Sequence, residues 1–251
     1  MQESSVDARQ FATQLLNPNF APQAFRRKGA AGRPQAHTRW LATDEALRTL
    51  GLRRGAQVSV GDLATVLTGR HTRTGRQVLP AGSIDLIFKA PNSVSVLWSQ
   101  LPPERRAEIE DAMLGSAAAM LDLLTSEHPV VDGVRKAQSY VAALVLHAVG
   151  TRSARVGTIP PVLHVHGCLF GVLDWDGSLT EPDEMALSDE DTQLLCDAIG
   201  ELALADRMIG LGYPVENTAR SGSGHKFEVA GVPKELLEGD LWNNTGCAVA
   251  G

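Results

Sequence analysis

The sequence is poor in several features, and each shortage narrows the class of protein. It has three cysteines in 251 residues, an odd and sparse set that does not suit the disulfide framework of a small secreted domain. No apolar run approaches the roughly 18 residues of a membrane-spanning helix, and the first residues do not resemble a signal peptide. We therefore expect a cytoplasmic protein without a membrane segment. With 43% hydrophobic residues, the chain has enough apolar surface for one large or two modest domains.

The chain also lacks a strong overall charge, with a formal net charge of −6. Taken whole, that balance argues against nucleic-acid binding. The distribution is uneven, however, because residues 1–80 hold twelve Lys and Arg against five Asp and Glu, and the remainder holds eleven against twenty-four. The first third is therefore a candidate for local phosphate binding. The alternative is a solvated surface whose charge is simply uneven.

Hydrophobic periodicity divides the chain into helices and strands. Helices are predicted at residues 7–16, 44–50, 60–67, 103–125 and 188–209. Strands are predicted at residues 84–89, 138–148, 162–173, 213–216 and 226–229. Pro91, with the hydroxyls of Ser93 and Ser95 after it, is typical of a further helix start. The pattern indicates an α+β fold, an antiparallel sheet of about five strands with the two long helices packed on one face.

Residues 40–79 are predicted to be compact and helical. The short helices at 44–50 and 60–67 are followed by a basic turn at 69–76. Two interpretations are open, a DNA-binding helix-turn-helix and a helical cap on a sheet. The cap is favoured because the spacing of the two helices is not diagnostic.

Two histidines, His164 and His166, stand two residues apart in the predicted strand 162–173. Alternate residues of a strand point to the same face, so their imidazoles project together and make half of a metal site. His147 ends the preceding predicted strand, and antiparallel pairing of the two strands would bring it to the same place. Three neutral imidazoles with coordination positions left open are typical of a catalytic rather than a structural metal site.

Two further residues bear on this site. Asp85, on the strand 84–89, could accept a hydrogen bond from the second ring nitrogen of one histidine and fix its tautomer. Cys168, two residues beyond His166 on the same face, is either a fourth ligand or, more commonly, a buried free cysteine. For the histidines, too, an ordinary core or surface position is the alternative.

Several stretches, in order along the chain, resemble the motifs of one known family. Residues 84–98 resemble its "DLTF-APKSVS-LW" segment, and residues 162–166 resemble its "PQLHTH" histidine motif. Residues 40–41, 51–52 and 69–75 resemble "GRW…LGL…GRDP-TG", and residues 211–213 and 227–237 resemble "LGY…FEIAGVP-ELL". The family is that of the TrwC/TraI-type (MobF) conjugative relaxases, and the likeness runs from about residue 39 to residue 238.

The resemblance implies a HUH-type endonuclease domain, built on a palm-like antiparallel sheet with helices packed on one face. Its members act on single-stranded or hairpin DNA at an origin of transfer, where a divalent ion (Mg²⁺, Mn²⁺ or Zn²⁺) polarises a phosphate that a tyrosine attacks. It further implies that His147, His164 and His166 hold the metal, and that Asp85 orients a ligand or accepts a proton. Other conjugation proteins are the partners implied beyond DNA.

The sequence departs from the family at the nucleophile. Its two tyrosines, Tyr140 and Tyr213, lie far from the N-terminus, where Phe20 and Phe25 stand instead. Asn92 replaces the usual lysine. The leading hypothesis is therefore a domain that binds origin-of-transfer DNA through its metal site without a nicking tyrosine of its own. The alternatives are an active single-strand nickase and strand transferase, and a metal-dependent phosphodiester hydrolase that uses bound water.

The chain is expected to have three parts. A divergent basic N-terminal segment occupies residues 1–39, the relaxase-like domain residues 40–238, and a C-terminal tail residues 239–251. DNA contacts are expected from basic, aromatic and helix-start residues. These are Arg26, Arg27, Lys28, Arg39, Trp40, Lys89, Asn92 and Ser93.

Overall fold

The computed structural model describes residues 3–17, 37–53, 55–126, 139–149, 161–173, 178–182, 184–219, 225–233 and 249–250. Its helices are α1 (Glu3–Leu15), α2 (Asp44–Leu50), α3 (Val60–Leu67), α4 (Asn92–Gln100), α5 (Pro103–Ser126), α6 (Glu184–Leu187) and α7 (Glu190–Gly210). Its strands are β1 (His37–Leu41), β2 (Ile84–Lys89), β3 (Ser139–Val149), β4 (Pro161–Leu173), β5 (Leu179–Thr180), β6 (Val215–Ala219), β7 (His225–Val229) and β8 (Val249–Ala250).

One antiparallel sheet organises these elements. Its strands follow the order β1-β3-β4-β2-β8, and β5 adds to β4. The two long strands β3 and β4 lie at the centre, while β6 and β7 form a separate antiparallel pair. The expected α+β fold with an antiparallel sheet is confirmed.

The first face of the sheet packs against α4, α5 and α7. Alternate strand residues such as Phe88, Leu144 and Val165 point into this apolar cluster, as their side-chain period of two requires. Helix α7 approaches the sheet closely at Gly200, where an added Cβ atom would lie 2.7 Å from the ring of Phe88. The prediction that the two long helices share one face is therefore confirmed.

The second face of the sheet carries a thinner layer made by α1, α2 and α3. Leu15, Leu47 and Leu63 from these helices pack on Val145 and Phe170 of the central strands. Helix α2 ends at Gly51, whose φ of 75° lies in the left-handed region that favours glycine. The helical cap predicted for residues 40–79 therefore agrees with the structure, and this layer leaves the two histidines of β4 only half-buried.

Three strands, β1, β5 and β8, were absent from the sequence-based prediction. Residues from Trp40 onward were expected to be helical, yet β1 spans His37–Leu41 and pairs with β3. Strand β5 pairs with β4, and β8 pairs with β2, through two residues each. All three strands are short, and β1 and β8 obtain their hydrogen bonds from distant partners, so local periodicity carries little information about them.

The hydroxyls after Pro91 do not cap α4 as expected. The helix begins at Asn92, but Pro91 makes no side-chain capping bond. The Ser93 hydroxyl instead accepts a hydrogen bond from the Val229 backbone N–H at 2.7 Å, and the Ser95 hydroxyl accepts one from Leu163 at 3.1 Å. These serines therefore tie α4 to β7 and β4.

None of the helices in the described ranges is both long enough and apolar enough to cross a lipid bilayer.

Candidate metal centre

Three histidines meet on the second face of the sheet. His147 of β3 lies directly opposite His164 of β4, and His166 follows two residues along the same strand. The ring centroids are 5.2 Å apart for His147 and His164, 4.6 Å for His147 and His166, and 5.2 Å for His164 and His166. The antiparallel pairing expected from the sequence therefore brings the three side chains together.

The ring nitrogens are close enough to share one ion. One nitrogen from each histidine lies within 4.8 Å of the other two. In a tetrahedral zinc site the zinc–nitrogen distance is about 2.1 Å, and the ligand nitrogens are about 3.4 Å apart. The three ring nitrogens must therefore move closer together by about 1 Å to bind one ion. Small rotations of the imidazoles provide a movement of that size.

Asp85 fixes the orientation of one imidazole. It is buried on β2, and its Oδ2 atom accepts a hydrogen bond from Nδ1 of His166 at 2.8 Å. Because a carboxylate accepts and does not donate, the Nδ1 atom carries the proton and Nε2 keeps its lone pair. The other oxygen of Asp85 lies 3.9 Å from the thiol of Cys168, which donates to it. Cys168 is fully buried, and within the described residues it is not part of the group of converging ligand atoms.

The other two histidines are held by backbone carbonyls. Nδ1 of His164 donates to the carbonyl of Val162 at 3.2 Å, which leaves Nε2 as its unprotonated nitrogen. Nε2 of His147 donates to the carbonyl of Leu15 at 2.7 Å. Leu15 is the last residue of α1, where helix carbonyls have no partner within the helix. No sequence signal pointed to this contact, because Leu15 and His147 are 132 residues apart.

Burial keeps two of the histidines, His147 and His164, neutral. Burial lowers the pKa of His147 from 6.5 to about 4. Burial, followed by the neighbouring imidazoles, lowers the pKa of His164 to about 3. Both rings are therefore uncharged near pH 7, and a neutral imidazole with a lone pair is the form that binds a metal. The donor set and its orientation fit a divalent ion such as zinc or manganese.

Comparison with known proteins identifies the family of the chain. The family model described as the TrwC relaxase matches residues 28–239. The chain belongs to the TrwC relaxase family. A comparison with curated protein sequences found no match.

Solved structures with a similar fold are complexes of the relaxase TrwC. A complex with a mutant oriT DNA has 19% identity and a TM-score of 0.59, over 80% of this chain and 70% of that chain. A metal-free complex with oriT DNA has 20% identity and a TM-score of 0.59, over 81% and 69%. A metal-bound complex has 19% identity and a TM-score of 0.58, over 80% and 68%. These likenesses establish the relaxase fold.

Both tyrosines of this TrwC-family chain lie on the opposite face of the sheet from the histidines. Tyr140 is buried in the cluster beneath α5, and its hydroxyl donates to Asp122 at 2.7 Å. Burial raises the pKa of Tyr140 well above its usual range. Tyr213 packs against the same cluster, and its hydroxyl accepts a hydrogen bond from Arg105. Neither hydroxyl reaches the imidazoles from that side.

The residues predicted to contact DNA are dispersed. Lys89 is half-buried on the histidine face, directly opposite His164 across β2 and β4. Trp40 is buried and packs against Phe170, with ring centroids 5.9 Å apart, so its ring is not presented to solvent. Arg39 points to the other face and lies 3.8 Å from Asp111 of α5.

The remaining predicted DNA contacts fall into two groups. Asn92 is half-buried at the start of α4, and Ser93 is buried, with its backbone N–H donated to Glu228. The segment Arg26, Arg27 and Lys28 lies outside the described residues, as do Phe20 and Phe25. The structure therefore brings Lys89 to the histidines, and it does not bring Trp40, Arg39 or Ser93 there.

Proposed function

We propose that this chain is a relaxase domain that binds origin-of-transfer DNA and holds one of its phosphates at a divalent ion bound by His147, His164 and His166. The observation that carries the proposal is the convergence of three imidazoles on one sheet face, with one ring oriented by a buried carboxylate. The related TrwC, described above in complex with oriT DNA, has both metal-free and metal-bound structures.

The roles of the protein groups follow from their positions. A bound divalent ion would supply positive charge to offset the charge that develops on a phosphate oxygen. Asp85 would keep the lone pair of His166 turned toward the ion through its bond to Nδ1. Lys89, opposite His164, would add a second positive charge for the same phosphate. The buried setting of His147 strengthens these electrostatic interactions, because nearby water is limited.

Neither tyrosine of this chain is positioned for strand transfer at the histidines. Both of its tyrosines lie across the sheet from the histidines, and Tyr140 is already bonded to Asp122. We infer that the chain binds DNA without forming a covalent adduct of its own.

A second candidate function is phosphodiester hydrolysis with water as the attacking group. Three ligands leave coordination positions open, and no tyrosine of the chain lies on the histidine face. The two candidates differ in whether DNA is cleaved at all.

The test is a titration of a fluorescein-labelled DNA hairpin with a single-stranded tail, of random sequence, by metal-free and Mn²⁺-loaded protein. We expect binding that is tighter with Mn²⁺, no covalent adduct on a denaturing gel, and no cleavage. Absence of binding at low salt would remove the proposed function. Cleavage without an adduct would favour the hydrolase, and an adduct would establish the nickase.

The matched control is the variant His164→Ala with His166→Ala. If the histidines hold the ion that contacts the phosphate, Mn²⁺ should no longer increase the affinity of this variant for DNA. An increase equal to that of the wild type would place the metal effect elsewhere.

A further inference from the structure

Helix α7 is apolar on two opposite sides. One side packs on the first face of the sheet, with buried residues at every fourth position from Cys196 to Met208. The other side exposes large apolar side chains, and these are Leu195, Leu202 and Ile209, with exposed fractions of 49%, 67% and 55%. Among the described residues, the other large apolar side chains that stand exposed are Leu194, also on α7, and Phe11. A helix that is apolar all round is normally covered all round, so the exposed side indicates a binding surface.

The exposed side of α7 follows the heptad pattern of a coiled coil. Leu195, Leu202 and Ile209 are seven residues apart, and Ala198 and Ala205 lie three residues after the two leucines. These five residues, which we call the α7 stripe, therefore occupy consecutive a and d positions over two heptads. Positions a and d are those that contact a second helix in a coiled coil. Two heptads of helix extend over about 21 Å, so the stripe matches a single partner helix of about 15 residues.

Negative charge borders the α7 stripe. Asp191 lies four residues before the first leucine of the stripe, and Asp206 lies four residues after the second. Both side chains are exposed, and this spacing puts them on the same side of the helix as the stripe. The helix has five acidic residues and one basic residue, Arg207, whose guanidinium lies 3.4 Å from the carbonyl of Gly115 on α5. A partner helix therefore meets carboxylates beside the stripe.

This charge argues against two occupants that belong to the same chain. A second copy would bring two sets of the same five α7 carboxylates together, and like charges across an interface are costly. Residues 234–248 contain one lysine and three acidic residues, so they do not complement the stripe either. A partner with an excess of positive charge fits better.

The α7 stripe and the histidines lie on opposite sides of the sheet. Helix α7 covers the first face, and its stripe points away from the sheet, whereas the three imidazoles meet on the second face. The carboxylates beside the stripe also repel phosphate groups, so the stripe is not an extension of a DNA-binding surface. A helical partner and DNA can therefore be bound at the same time.

We propose that the α7 stripe docks a basic amphipathic helix of another protein, with apolar side chains at a and d and lysine or arginine at the flanking e and g positions. The heptad spacing selects a helix as the partner, because only a helix matches it along the whole stripe. The carboxylates of α7 select the positive charge. This inference goes beyond the proposed function and does not depend on the metal centre.

The test uses a fluorescein-labelled helical peptide of three heptads, with leucine at a and d and lysine at e and g. A second peptide has glutamate at e and g, and a third has the residues of the first in an order that breaks the heptad. Fluorescence anisotropy with the full chain measures each affinity at low salt. We expect the basic heptad peptide to bind at least about tenfold more tightly than either of the others.

Variants of the protein locate the binding surface. Leu195→Gln with Leu202→Gln should lower the affinity for the basic peptide at least about tenfold, because two of its three large contacts are removed. Phe11→Gln is the matched control, since Phe11 is 37% exposed on α1, and it should leave the affinity unchanged. Asp191→Asn with Asp206→Asn should weaken the binding and reduce its dependence on salt. Thermal unfolding of the leucine double variant should occur at the wild-type temperature, because both side chains are exposed.

The contrary outcomes are specific. Equal binding of the basic and acidic peptides, or an affinity that the leucine double variant retains, overturns the inference. A lower unfolding temperature of that variant would show that a segment of this chain already covers the stripe. A dimer in sedimentation analysis that the variant disperses would place a second copy there, and either result overturns the inference as well. Failure of the proposed function is seen separately, in the titration of the tailed hairpin with Mn²⁺.

Discussion

Nδ1 of His166 and Oδ2 of Asp85 are 2.8 Å apart, although the two residues are separated by 81 positions in the chain. Antiparallel pairing of β2 with β4 places Asp85 opposite Cys168, so the carboxylate reaches diagonally to the imidazole two residues before it. This bond determines which nitrogen of His166 has a lone pair.

Asp85→Ala should weaken Mn²⁺ or Zn²⁺ binding by about 10- to 100-fold, the usual effect of removing a carboxylate that orients a histidine ligand. Isothermal titration measures the affinity. Asp111→Ala is the control, because that carboxylate is 54% exposed on α5, across the sheet. Equal affinities for the wild type and the Asp85 variant would show that the carboxylate does not orient a ligand.

His164→Ala combined with His166→Ala should abolish uptake of Mn²⁺ or Zn²⁺, because two of the three converging imidazoles are removed. Helix content should remain near that of the wild type, since both side chains are only half-buried. Metal analysis after dialysis and far-UV circular dichroism measure the two properties. Unchanged metal content in this variant would remove the basis of the metal centre.

The metal-free protein should lose stability as the pH falls from about 6.5 to about 4. The folded pKa values of His147 and His164 are about 4 and about 3, so in this window the unfolded chain binds protons that the folded chain does not. Stability therefore rises with pH, by up to about 1.4 kcal/mol per pH unit for each histidine. Urea unfolding at several pH values tests this.

His147→Gln with His164→Gln is the comparison for that experiment. The glutamine amide can still donate a hydrogen bond to the carbonyl of Leu15, but it does not titrate. The variant should lose less stability on acidification than the wild type. The same acid loss in both proteins would assign it to other groups.

Tyr140→Phe combined with Tyr213→Phe should leave DNA affinity, and any cleavage that is observed, at wild-type levels. Both hydroxyls lie on the face away from the histidines. The variant should be less stable by about 1 kcal/mol for the lost bond between Tyr140 and Asp122. Loss of a covalent DNA adduct in this variant would show that one of these tyrosines is the nucleophile.

Gly51→Ala should destabilise the protein by more than about 1 kcal/mol. The φ of Gly51 is 75°, and an added Cβ would collide with the ring of His71, whose Nδ1 accepts hydrogen bonds from the backbone N–H groups of Arg73 and Thr74. Gly55→Ala is a matched control with a φ of 73° and nothing within 4 Å of the added atom. A cost no larger at position 51 than at position 55 would contradict the collision.

Sequence periodicity located most of the elements because their signals are local. Helices α2 and α3 were predicted residue for residue, since a serine or threonine precedes each apolar repeat and Gly51 follows the first. The central strands were found from their long apolar runs. Strand β1 was missed, because its five residues become a strand only through pairing with β3.

Part of the candidate site was predicted from the sequence, because that part also depends on a local pattern. The period of two along β4 is a property of the backbone, so His164 and His166 had to share a face. Which other residues join them depends on pairing. The register of β3 with β4 places His147 opposite His164. The separate register of β1 with β3 places Trp40 opposite Ala143, on the face that α2 and α3 cover.

The sequence by itself determined the order of most helices and strands, the shared face of two histidines and the excess of basic residues in the first third of the chain. Each of these depends on neighbours within a few residues of one another. Only the tertiary structure decided that Asp85 holds His166, that Leu15 holds His147, and that Arg39 lies beside Asp111 on the face away from the histidines. Those relationships depend on strand register and on which sheet face a helix covers, and both are set by packing between residues far apart in the chain.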